Sequence, residues 1–110
     1  MLMLWFYTHI YSLSVEQQSM ELYWRQSNRR EVLVLDLGGN AGEEIIGGVR
    51  ETRNGFDAFA RTFGYDPGRA EKGIASLAEA KHFVESFTPW DQFPDTGDIE
   101  IESSPRTVAE

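Results

Sequence analysis

Two histidines, His9 and His82, are the only imidazoles in a chain of 110 residues that lacks cysteine altogether. They show neither a His-x-x-x-His step nor a carboxylate fixed beside them, the patterns that make a metal site. No metal and no cofactor is therefore expected. The missing cysteines also exclude a thiol nucleophile and a disulfide framework. Ser12, Ser14 and Ser76 have no general base that the sequence can set beside them. The paired carboxylates Glu43-Glu44 and Asp95/Asp98 read as solvated charge. On residue chemistry alone the chain is not expected to be an enzyme.

One stretch invites a phosphate-binding reading. Val34-Leu35-Asp36-Leu37-Gly38-Gly39-Asn40 resembles the first phosphate loop of sugar kinases of the actin and hexokinase superfamily, although Asn40 stands where those enzymes carry Thr or Ser. It matches neither G-x-G-x-x-G nor the lysine-bearing P-loop. A glycine loop joining two antiparallel strands is the expected structure here.

The remaining chemical signal is arginine interleaved with aromatics, and its meaning depends on the elements that carry it. Glu21–Gln26 reads as a strand, Ser27–Arg30 as a turn, and Glu31–Leu37 as a β-branched apolar strand stopped by Gly38-Gly39. Glu44–Glu51 forms another strand with a glycine pair at Gly47-Gly48, and Asn54-Gly55 is a strong two-residue hairpin signal. Phe56–Phe63 returns, Asp66-Pro67-Gly68-Arg69 turns, and Lys72–Ala75 adds a short strand. Ser76-x-x-Glu79 is a capping box. The helix it opens carries Leu77, Ala80, Phe83, Val84 and Phe87 on one stripe and Glu79, His82, Glu85 and Ser86 on the other. Thr88-Pro89 ends it. Asp98–Glu102 offers a further edge strand.

Pairing across Asn54-Gly55 sets Arg53 opposite Phe56, Glu51 opposite Ala58, Val49 opposite Ala60 and Gly47 opposite Thr62. This face has small residues at its centre and room for the helix. The other face pairs Thr52 with Asp57, Arg50 with Phe59, Gly48 with Arg61 and Ile46 with Phe63. The candidate binding face is therefore Ile46, Arg50, Phe59, Arg61 and Phe63, with Arg53 at the turn. Three covers would fit it: the apolar N-terminal segment, a protein partner or second copy, or a nucleic acid stacked on the aromatics.

The succession Val49-x-x-x-x-Asn54-Gly55-Phe56-x-Ala58, Tyr65-x-Pro67-Gly68, a short strand and Ser76-Leu77-Ala78-Glu79-Ala80 resembles the arm-type, AP2-like DNA-binding domain of phage-type integrases. The resemblance spans residues 45–88. It implies three antiparallel strands backed by one helix, with DNA read by the exposed sheet face.

Charge argues against a polyanion. Eighteen acids against ten bases leave the chain at −8. Asp91, Asp95, Asp98, Glu100, Glu102 and Glu110 against Arg106 concentrate −5 of it in the last twenty residues. Residues 44–73 balance five acids with five bases, so nucleic acid is disfavoured, while a protein partner or self-association is expected. The apolar run Met1–Tyr7 is too short to span a bilayer and has no basic flank of a signal peptide. No membrane association is expected, and the lack of cysteine leans toward the cytoplasm.

With 41% hydrophobic and 13% aromatic residues the composition is globular. The expectation is an α+β fold: an antiparallel sheet of four to five strands with one main helix on one face. Residues 1–19 form an apolar extension, 20–90 the domain and 91–110 an acidic tail. The expected function is that of a small non-enzymatic binding module working through the exposed sheet face.

Overall fold

Short apolar runs broken by glycines and by two-residue turns give a meander, because each run is too short to do more than pair with its neighbour. The structure, a computed structural model, describes residues 20–62 and 65–108. Strands β1 (Glu21–Ser27), β2 (Arg30–Asp36), β3 (Glu43–Thr52), β4 (Gly55–Thr62) and β5 (Tyr65–Ile74) pair antiparallel in sequence order. Helix α1 (Leu77–Ser86) follows, then a 3-10 turn (Pro89–Gln92) and a two-residue strand, β6 (Arg106–Thr107).

The sheet has six strands among the described residues, in the order β5-β4-β3-β2-β1-β6. It is therefore larger than the four to five strands expected, and it is mixed. The parallel step is β6 against β1. The expected edge strand at Asp98–Glu102 contracts to one bridge, Ile101 to Leu22, supported by the Glu102 N–H donating to the Leu22 carbonyl at 2.9 Å. A chain leaving the far side of the sheet after α1 arrives at the β1 edge running parallel to it.

The β3–β4 hairpin turns one residue earlier than the Asn54-Gly55 signal suggests. Thr52 pairs with Gly55, Glu51 with Phe56, Val49 with Ala58 and Gly47 with Ala60. Thr52 Oγ1 accepts from the Asn54 N–H and donates to the Gly55 carbonyl, both at 3.2 Å, which locks the turn around Thr52. Gly55 takes the positive φ, at 124°, and a Cβ there would collide with the Ile74 carbonyl of β5. Every cross-strand partner thus moves by two residues. Because side chains alternate with period two, the β3 residues from Gly47 to Thr52 keep the faces expected of them.

The predicted turn at Asp66–Arg69 lies inside β5. Gly68, at φ 116°, lets this strand press onto the Ala60 carbonyl, so the Pro-Gly pair marks an irregularity of an edge strand. Proline is tolerated there because an edge strand has one unpaired side.

Helix α1 is capped by Ser76, whose Oγ accepts from the Glu79 N–H at 3.1 Å. It buries Ala80 and Val84 and packs Leu77, Phe83 and Phe87 at the margins of its contact. Beneath it lie Leu22, Trp24, Leu33, Leu35, Ile46, Val49, Ala58 and Ala60. Burying each large aliphatic side chain contributes about 1.5–3 kcal/mol. Thr96 is buried after the 3-10 turn, and its hydroxyl lies within 3.0 Å of both the Trp90 and the Phe93 carbonyls. Trp90, Phe93, Ile99 and Ile101 pack against the same core.

Candidate binding face

Gly47 and Gly48 face opposite sides of β3. A Cβ on Gly47 would collide with Cγ1 of Val84, so α1 sits directly on the backbone of β3. A Cβ on Gly48 would lie 2.7 Å from the Phe59 ring, which covers Gly48 from the opposite side. The cross-strand pair Gly48–Phe59 explains this: the ring folds over the strand neighbour that has no side chain. Phe59 remains 42% exposed and Ile45 44% exposed, two of the exposed large apolar residues of the domain.

Around this pair runs a cleft of about 480 Å³ on the face that α1 leaves open. Val32, Ile45, Phe59 and Ala70 supply apolar surface, and Arg30, Arg50, Asp57, Glu71 and Lys72 line it with charge. Alternation accounts for the set. Glu31 points at α1, so Arg30 beside it points to the open face, directly opposite Arg50 in the β2–β3 register. Arg50 continues the row to Asp57 on β4, 3.9 Å away. The other Asp57 oxygen accepts from the Gly73 N–H at 3.1 Å.

The expected binding residues are dispersed. Arg50 and Phe59 line the cleft. Arg61 turns away from it, donating to Glu44 Oε1 and the Ile45 carbonyl at 3.2 Å each, with its guanidinium 6.0 Å from the Phe93 ring centre. Arg53 is exposed in the β3–β4 turn and does not line the cleft. Ile46 is corrected outright: it is fully buried in the core under α1. The β2–β3 register shifts between Leu33 and Val34, opposite Gly47 and Ile45, and this leaves Ile46 as the extra residue of a bulge. Phe63 lies outside the described residues, as does the N-terminal segment 1–19 proposed as a cover.

Sequence reasoning missed Arg30, Val32, Ile45, Ala70 and Lys72. Their signal was available only by carrying the register outward from β3 and β4 to β2 and β5, and the bulges in both pairings break simple counting.

A second charged group lies under α1. Glu31 Oε2 sits 2.6 Å from Lys81 Nζ, with both side chains largely buried. The distance makes this a contact ion pair, although no hydrogen bond of good geometry reaches Glu31 Oε2. Lys81 Nζ also lies 5.0 Å from the Trp24 ring centre, and Trp24 Nε1 donates to Glu85 Oε2 at 2.8 Å. Each polar end is tied to another, so the group anchors α1 to β1 and β2.

On the open face near β6 the Tyr23 hydroxyl donates to Glu43 Oε2 at 2.8 Å, and Arg25 donates to Glu43 Oε1 at 2.9 Å. The Arg106 guanidinium lies 3.7 Å from the centre of the Tyr23 ring. Burial, then the Glu43 carboxylate, push the Tyr23 hydroxyl above its usual value. The Tyr23 hydroxyl, then Arg25, hold Glu43 below the carboxylate range. The Asp36-x-Gly38 stretch is a loop between antiparallel strands, with Asp36 Oδ1 accepting from its own Gly38 N–H at 2.9 Å. His82 is exposed on α1.

No protein-family model, curated protein or solved structure matches this chain. Among the described residues no group of three or more His, Asp or Glu could hold a metal ion. No helix among them is long and apolar enough to cross a membrane.

Proposed function

We propose that the protein is a small non-enzymatic binding module that works through the open face of its sheet, engaging a protein partner or a second copy. The observation behind this reading is the cleft over Val32, Ile45 and Phe59, an apolar surface that α1 does not cover. A sheet face carrying exposed aromatic and aliphatic side chains beside charge is the usual anatomy of a recognition surface. The test is light scattering on the full chain and on Phe59→Ser, together with amide NMR of both. The reading requires concentration-dependent association, or partner-induced shifts, that centre on Gly48 and Phe59 and vanish in the variant. A chain that stays monomeric and takes no ligand on this face would sink it.

A second reading, a nucleic-acid accessory protein, draws on the row Arg30, Arg50 and Lys72 and on the likeness of residues 45–88 to an arm-type domain. Duplex binding at low salt that collapses as salt rises would favour it, because phosphate contacts release counterions.

A further inference from the structure

The open-face cleft gathers three cations, Arg30, Arg50 and Lys72, against two acids, Asp57 and Glu71. Arg30 and Arg50 stand directly opposite each other on β2 and β3. Like charges in such a pair repel and destabilise the sheet. Among the described residues Arg30 has no side-chain acid partner, and Arg50 has only Asp57 at 3.9 Å, whose second oxygen is held by Gly73. Glu71 stands at the rim, paired with Ala58 whose side chain faces α1, so Asp57 is the acid set directly against the arginine row. This local excess of cations sits in a chain whose net charge is −8.

We infer that the cleft is a site for a free apolar carboxylate, its anionic group held between Arg30 and Arg50 and its body lying over Val32, Ile45 and Phe59. The inference rests on the open-face binding reading and adds the ligand's chemistry. Two arginines at directly opposed positions suit a planar carboxylate, which takes parallel N–H donors from a guanidinium. The floor beside them is apolar, so a hydrated inorganic anion would leave it wet, whereas a hydrocarbon or aromatic body would cover it. The volume of about 480 Å³ falls inside the range of small-molecule sites, roughly 300–1,000 Å³. A polyanion would meet the repulsion of the whole chain, while a single carboxylate gains the local attraction with little of that opposing field.

The experiment is amide NMR of the full chain titrated with sodium octanoate, below its micelle-forming range. Octanol, octylammonium and acetate separate the apolar body from the charge. The expected result is saturable movement of the Gly48, Arg50, Phe59 and Ala70 amides by octanoate, with octanol, octylammonium and acetate each at least about tenfold weaker. Arg30→Gln should weaken octanoate by about tenfold and leave octanol unchanged. Its ligand-free melting temperature should equal or exceed that of the parent, since a like-charge pair has been relieved. Octanol binding as well as octanoate, or Arg30→Gln binding octanoate normally, overturns the carboxylate assignment while leaving an open-face module intact. Octanoate that moves no cleft amide also overturns it. If Phe59→Ser then still abolishes self-association, the binding-module reading stands without it.

Discussion

The two faces of this sheet are built from the same strands and resolve opposite problems. Under α1, Ala58, Ala60 and Gly47 are small so that Val84 can reach the backbone, and an ion pair, Glu31–Lys81, is enclosed. On the open face the corresponding positions are Phe59, Gly48, Arg30 and Arg50, where apolar and charged groups stand side by side in solvent. Packing explains the small residues of the first face. It does not explain the second, where an arginine faces an arginine. A face that costs stability and remains open is where binding would be expected.

The comparison breaks most visibly at the enclosed ion pair. Lys81→Met leaves the Glu31 carboxylate buried and unpaired, and should destabilise by about 3 kcal/mol in chemical denaturation. The double variant Glu31→Leu/Lys81→Met should recover most of that loss, because an apolar pair needs no desolvation compensation. Equal instability of single and double variants would show that the pair is not enclosed as described.

Gly47→Ala tests the close approach of α1. Its Cβ meets Val84 Cγ1, and overpacking of this kind costs about 1–3 kcal/mol. Gly47→Ala combined with Val84→Ala should cost less than the sum of the two single changes, since the smaller partner makes room.

The Tyr23–Glu43 contact gives the open face its own pH signature. Glu43 is held below its usual value of 4.5, so its contribution is complete above that pH and is lost as pH falls through the folded value. Tyr23 is raised above 10.0, so its contribution is complete below that pH and is lost as pH climbs through the folded value. Tyr23→Phe should flatten the acid limb, abolish the tyrosine's alkaline limb and cost about 0.5–1 kcal/mol at neutral pH. Thermal melts of both proteins across the two limbs provide the measurement.

Phe59→Ser should have the smallest effect on folding, under about 1 kcal/mol, because the ring is already well exposed. A larger loss would mean that the ring's cover of Gly48 belongs to the core after all, and the contrast between faces would narrow.

How much of this could be read in advance varies by position. The parity of β3 and β4 was legible: Ala58 and Ala60 on the helix side, Arg50 and Phe59 on the other. It survived a two-residue error in register because faces depend on parity alone. The Ser76 cap and the stripe of α1 were legible for the same reason, being local patterns with a fixed period. Ile46 was not, since one bulge against Leu33 and Val34 reverses the direction of a side chain without marking the sequence. Arg61 was not either, because Glu44 and Phe93, which engage it, come from separate parts of the chain.

By itself, the sequence determined strands β1 to β4, the helix with its cap, and which residues of β3 from Gly47 on and of β4 share a side. Those follow from short-range periodicity and the steric limits of glycine and proline. Only the tertiary structure decided that β5 continues through Pro67-Gly68, that β6 returns parallel to β1, and that Arg30 pairs with Arg50 on the side of the sheet that carries Phe59. Each of these depends on pairing between distant residues. There, backbone hydrogen bonds and close packing at Gly47, Gly55 and Gly68 outweigh local preference.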